Sequence, residues 1–361
     1  MPGAKRTASG SLPDWNAFWR SWGRVARNGI SANGKRYSLP HVLQAWALVL
    51  AVLYLMLLWA SRSASEDTLA AILSEEVAMT DAEFFQNRHL IFCVSPGRSG
   101  SAYLRNVLNV AEGIIARHEP EPKMNGPILE QVIIEGKRED TFQKRSALKL
   151  SSIREALEGT PQDVVYAETS HMFVKTFADV ILDEIGDLAK ISILFLRRPT
   201  KDTVWSQLQL GWFSKGHSGK NLWYYNPNDV HKSEMQIPLT LNASDAVESL
   251  IGYNADIQQR GSELGQKIRR MHKQKKWRHV RMREVLLMDI SGASVESGTL
   301  KLLSSLGLRV ERSKLDMLSE QDTNARDAKK ERRHVETTKD DVEHHLDVMK
   351  RQHSFLREVL Y

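Results

Sequence analysis

Short apolar runs recur along the chain, each about the length of one strand. They are His89–Ser95 (HLIFCVS), Gly113–Glu119 (GIIARHE), Asp163–Ser170 (DVVYAETS), Ile191–Arg198 (ISILFLRR) and His279–Leu287 (HVRMREVLL). Most are separated by stretches with helical spacing. After the first run, for example, SAYLRNVLNVAE places Tyr103, Leu104, Val107, Leu108 and Ala111 on one helical face. Strands alternating with helices predict an α/β fold: a single domain with a central parallel sheet flanked by helices.

Residues 41–60 (HVLQAWALVLAVLYLMLLWA) contain no Asp, Glu, Lys or Arg. As a helix they would cover a hydrocarbon core of ~30 Å, and Trp46 and Trp59 stand near the two ends, where their rings favour the interface. The preceding flank is rich in Lys and Arg and carries Asp14 as its acidic residue, whereas Glu66 and Asp67 follow the span. The positive-inside tendency therefore predicts a signal-anchor, with the N-terminus cytosolic and the rest lumenal. The domain plan that follows is a basic tail at 1–40, an anchor at 41–60, a polar stem at 61–87, the main domain at 88–310 and a charged helical segment at 311–361. In that last segment Val342, Leu346, Met349, Leu356 and Leu360 are spaced to dock on the domain, while residues 216–238 have no clear period and read as a long loop or lid.

The chain has 361 residues, with 50 Lys and Arg against 44 Asp and Glu, a small excess that suits an anionic ligand without requiring one. Cys93 is the sole cysteine, which excludes an internal disulfide framework and a cysteine-rich metal site. Asn242-Ala243-Ser244 forms a glycosylation sequon, consistent with a lumenal domain. No metal-ligand spacing stands out, nor does the Asp-x-Asp pattern that a type II glycosyltransferase usually needs.

The segment Val94–Leu108 (VSPGRSGSAYLRNVL) sets Gly97, Arg98, Ser99, Gly100, Ser101 and Ala102 between a strand and a helix. Such a turn presents backbone N–H groups and the positive end of a helix to an anion. Glycines allow close approach, serine hydroxyls add donors, and Arg98 brings a permanent charge with a forked donor set. The G-x4-G-K-[ST] spacing of an ATP- or GTP-binding loop is absent, since Ala102 and Tyr103 follow Gly100-Ser101.

Here the chain resembles the sulfotransferase superfamily. Arg98-Ser99-Gly100-Ser101 is similar to that family's 5′-phosphosulfate loop, and ISILFLRRPTKDTVWSQLQLG (Ile191 to Gly211) to its 3′-phosphate motif, an apolar strand ending in Arg-x-Pro before a serine-bearing helix. The resemblance covers residues 88–310 and implies a P-loop-like fold, 3′-phosphoadenosine-5′-phosphosulfate (PAPS) as co-substrate, and no metal. By the same resemblance Arg98 meets the leaving oxygen, and an arginine with Ser206 holds the 3′-phosphate. In the family one arginine stands two before the proline and eight before the serine. Here Arg197 precedes Pro199 by two and Arg198 precedes Ser206 by eight, so both are candidates. A weaker echo is Glu284 in the late strand, followed by a helix ending at Leu306-Gly307.

Sulfuryl transfer also profits from a base at a strand end facing the loop. Glu119 is the first choice and His118 the second, because both end the second apolar run. Glu168, Ser170 and His171 end the next run and are candidate acceptor contacts. The basic stretch Gln266–Arg283 reads either as a solvated helix or as a surface for an anionic acceptor. The expected activity is sulfation of a carbohydrate or, as second choice, of protein tyrosine, by a single-pass type II protein of the Golgi membrane. A membrane-tethered, catalytically degenerate binding protein is the alternative, and nucleic acid is not an expected partner.

Overall fold

The computed structural model describes residues 30–32, 35–37, 51, 54, 56, 81–212, 246–320 and 337–361. The chain divides into two units, Met1–Val77 and Ala78–Tyr361. In the first, β1 (Ile30–Ala32) and β2 (Lys35–Tyr37) pair antiparallel, with Ile30 opposite Tyr37. The expected membrane span lies outside the described residues except for Ala51, Tyr54 and Met56, which are helical. Among the described residues no helix is long and apolar enough to cross a membrane. The expected loop at 216–238 and the sequon at Asn242 also lie outside them.

In the second unit all five apolar runs are strands of one sheet: β3 (His89–Val94), β4 (Ile114–His118), β5 (Val165–Thr169), β6 (Lys190–Arg197) and β7 (Val280–Leu286). Every pairing is parallel, and the order is β4-β5-β3-β6-β7. Alternation within the strands separates two cores. Leu90, Phe92, Val94, Ile191, Ile193 and Phe195 face one, and Ile91, Cys93, Leu194 and Leu196 face the other. Because both faces are buried, the strands read as continuous apolar runs rather than as alternating ones.

The first core is covered by α2 (Phe142–Leu157), α3 (Ala178–Ile185) and α5 (Ala246–Lys273), and the second by α1 (Ser101–Leu108), α6 (Val295–Leu306) and α7 (Arg312–Glu320). The helix α4 (Thr200–Leu208) follows β6 and adds Val204 and Leu208 to the first core. Gly307 ends α6 with φ of 74°, a left-handed cap that glycine adopts without strain.

Two boundaries differ from the expected plan. The end of the stem belongs to the domain, because residues 81–85 form a helical turn that buries Phe85 completely in the first core. The charged C-terminal segment also packs there. Along α8 (Lys339–Gln352) and α9 (Phe355–Val359) the expected docking residues Val342, Leu346, Met349, Leu356 and Leu360 are all buried. A Thr338–Asp341 capping box starts α8. The chain then closes on the domain, where the Tyr361 carbonyl oxygen accepts from both Thr200 N–H and Thr200 Oγ1 at 2.7 Å.

Candidate active site

The chain runs from β3 across to β4, back to β5 beside β3, and then to β6 on the other side, so the order reverses around β3. Loops after the strands at such a reversal diverge and leave a crevice for ligands. The loop after β3 is the one the sequence singles out.

That loop is held from both sides at Gly97. Its N–H donates to Tyr253 Oη at 3.0 Å, and its carbonyl accepts from Gln207 Nε2 at 2.7 Å, with Gln207 Oε1 in turn accepting from Asn254. A Cβ on Gly97 would lie 2.4 Å from Trp212 Cη2, so glycine is required here by close packing. Ser99 Oγ donates to the Pro96 carbonyl at 2.7 Å, which makes this hydroxyl a brace of the loop. Arg98 and Gly100 both have positive φ, 70° and 96°, and Gly100 caps α1. The conformation strains Arg98, as sites held for a ligand often do. By helix geometry the amides of Ser101, Ala102 and Tyr103 have no intrahelical acceptor. Ala102 is exposed and Ser101 is buried.

The two arginines after β6 diverge. Arg198 Nη1 donates to the Arg98 carbonyl at 2.9 Å, and Arg98 Nε donates to Ser206 Oγ at 3.3 Å. Burial lowers the Arg198 pKa, with Asp202 opposing and the Arg98 charge adding to the fall. Arg197 turns the other way: it pairs with Glu284 at 3.0 Å, donates to the Val359 carbonyl and lies over the Tyr361 ring. Arg197 ends β6 and Arg198 follows it, and the two side chains land on different partners. Arg198 joins Arg98 and Ser206, while Arg197 and Glu284 fasten the C-terminal segment.

At the β4 and β5 ends, His171 Nδ1 meets Glu119 Oε1 in a short ion-pair contact. Glu119, with φ of 48°, is also left-handed. Burial opposes its charge, but the hydrogen bond and the charges of His171, His118 and Lys123 hold its carboxyl below the usual range. His118 is fixed through Nδ1 against Thr169, 2.8 Å from the carbonyl oxygen and 3.1 Å from Oγ1. Burial lowers its pKa although Glu119 pulls the other way. Glu119 stays partly open, with a fifth of its side chain exposed, and His171 is buried behind it.

Two expected acceptor contacts do other work. Glu168 is buried, bound to Lys149 Nζ at 2.7 Å and to Tyr166 Oη at 2.9 Å, and burial pushes its carboxyl up. A carboxylate so enclosed holds a buried cation and is withdrawn from any acceptor. Ser170 is likewise buried, and its Oγ accepts from Met172 N–H in the turn after β5.

Residues absent from the sequence reading come from α4, α5 and the helical turn Phe173–Phe177 after β5. Tyr253, Asn254 and Gln207 fix the loop, and Lys175, whose Nζ lies over the Tyr253 ring at 5.4 Å, pairs with Asp256 at 3.2 Å. Burial pushes the Tyr253 phenol up, with its hydrogen bond to Gly97 opposing and the Asp256 and Glu119 charges adding to the rise. Among the described residues no group of His, Cys, Asp and Glu is arranged to hold a metal ion.

The chain matches no protein-family profile and no curated protein sequence. Among solved structures it is similar to a "Sulfotransferase Domain from the Curacin Biosynthetic Pathway", with 12% identity and a TM-score of 0.40 over 66% of this chain and 80% of that one.

Proposed function

We propose that the protein is a sulfotransferase that moves the sulfuryl group of PAPS onto a hydroxyl of a carbohydrate acceptor, with protein tyrosine as second candidate. The observation that carries this reading is the convergence of Arg98, Arg198 and Ser206 on the loop that opens α1. Two arginines brought to one loop at a helix N-terminus are suited to a multiply charged anion. The donor set also fits a ligand with two separated anionic groups: the amides of Ser101 and Ala102 with Arg98 for one, and Arg198 with Ser206 for the other.

PAPS would supply an activated sulfuryl group and a 3′-phosphate handle. Arg98 would then balance charge growing on the leaving oxygen, and positioning with electrostatics would provide most of the acceleration. Glu119, oriented by His171, would take the acceptor proton, and His118 is the reserve base. A type II anchor at residues 41–60 with the domain in the Golgi lumen belongs to the same proposal, supported by the charge asymmetry around that span. In sealed microsomes, added protease should spare the domain.

The deciding measurement is thermal stabilisation of the detergent-solubilised full chain. Adenosine 3′,5′-bisphosphate should raise the melting temperature well beyond adenosine 5′-phosphate. Equal shifts would remove the 3′-phosphate assignment, and no shift from either would favour the degenerate binding protein. Turnover of labelled PAPS against a panel of glycans and tyrosine peptides then identifies the acceptor.

A further inference from the structure

The helix α5 runs from the candidate site to the far edge of the sheet. Tyr253 touches the loop after β3, and Lys273 lies twenty residues on, about 30 Å away along the helix. Between Glu263 and Glu284 the sequence has no Asp or Glu. Arg269, Arg270 and Lys273 are exposed on the helix face opposite buried Leu264 and Ile268, and Lys275, Lys276 and Arg278 are exposed in the turn that follows. None of these six forms an ion pair among the described residues. Asp187 accepts from the Trp277 N–H, and Asp183 lies 4.0 Å from Lys267 and also feels the Lys276 charge.

The turn is rigid. Trp277 is buried beside Gly186, and His272 Nε2 lies 3.0 Å from both the Trp277 and Val280 carbonyl oxygens. The arginines are aimed by backbone: Arg278 Nε donates to the Lys275 carbonyl, and exposed Arg281 donates to those of Arg278 and Val280. Carbonyl partners fix a guanidinium without neutralising it, so among the described residues this edge carries oriented charge that no ion pair neutralises.

We propose that the end of α5 and the turn into β7 form a docking surface for a linear polyanionic glycan, on the sheet edge opposite the candidate active site. Charge is the only recognition the surface offers. Leu264, Ile268, Trp277 and Val280 are buried, so among the described residues of this surface no exposed aliphatic chain is available to enter a bilayer, and the exposed ring is the single imidazole of His279. A chain of sulfates or uronic carboxylates needs neither. This proposal stands on its own residues and does not rest on the sulfotransferase reading.

The test uses the full chain and a heparin-derived oligosaccharide as probe. The parent should bind it with an affinity that falls as salt rises. Replacing Arg269, Arg270, Lys273, Lys275, Lys276 and Arg278 by Gln should weaken binding by about tenfold or more, while the stabilisation by adenosine 3′,5′-bisphosphate stays as in the parent. Should that variant fail to fold, R269Q/R270Q/K273Q, confined to the exposed helix face, should show a smaller loss of the same kind. Undiminished binding by a folded variant would overturn the proposal. So would tighter binding to phosphatidylserine vesicles or to an oligonucleotide of equal charge, which would hand the surface to a membrane or a nucleic acid.

Discussion

On the β6 side of the central strand, the Arg198 guanidinium is held on the Arg98 carbonyl; on the β4 side, the Glu119 carboxyl is held by His171. The first arrangement gathers cationic groups that would gain from an anion. The second is settled in the protein itself, with the carboxylate already oriented and kept ionised. The difference separates two tasks. A site that would capture a charged ligand is built from donors of one sign, whereas a base must be in place before the reaction begins. Both halves hold a non-glycine residue in the left-handed region, at Arg98 and Glu119, so each has backbone strain at the residue proposed to act.

The sharpest test of this contrast is Glu119→Gln, which keeps shape and removes the base. Turnover should fall by roughly 10²–10⁴ while bisphosphate affinity holds. Because the carboxyl is held below its ordinary value of 4.5, the parent's acidic limb should lie below that pH, where protonation removes the base. A limb near the ordinary histidine value of ~6.5 would move the role to a histidine.

Arg98→Ala should come next, lowering turnover by roughly 10²–10³ and weakening bisphosphate binding much less, since its strongest contact forms only as charge develops. Equal losses in both quantities would make Arg98 a binding residue only. The two neighbouring arginines provide a smaller and more discriminating effect. Arg198→Ala should weaken bisphosphate binding by about tenfold. Arg197→Ala should leave it unchanged and cost at most about 1 kcal/mol of stability for its half-exposed pair with Glu284. Reversed results would put the 3′-phosphate on the other face of β6. Smallest of all is Tyr253→Phe, which removes the acceptor of the Gly97 N–H. It should cost about 1–3 kcal/mol for a buried unsatisfied donor, read by thermal unfolding, and loosen bisphosphate binding with it. A drop in stability alone would make Tyr253 purely structural.

The sheet was legible because strands buried on both faces are compact apolar runs, and each observed strand begins and ends within about two residues of its run. The loop after β3 was legible for a similar reason: Gly97, Ser99 and Gly100 sit next to one another in the sequence. The choice between Arg197 and Arg198 was not, because adjacent residues at a strand end land on opposite faces and the spacing to Ser206 fits only one of them. Glu168 misled because a carboxylate at a strand end looks the same in sequence whether it faces solvent or a buried lysine, and Lys149 lies on a different element, α2. The Tyr253–Gly97 contact joins residues far apart in the chain and has no local signature.

The clasp between Tyr361 and Thr200 sets an order on synthesis. A ribosome finishes Arg198 and Ser206 long before it reaches the residue whose carbonyl holds the first amide of their helix. Until that residue emerges, Thr200 lacks this partner and Arg197 lacks the Val359 carbonyl. This corner is therefore secured only after residues 359–361 have been made, so a nascent chain can assemble its central strands while it is still open.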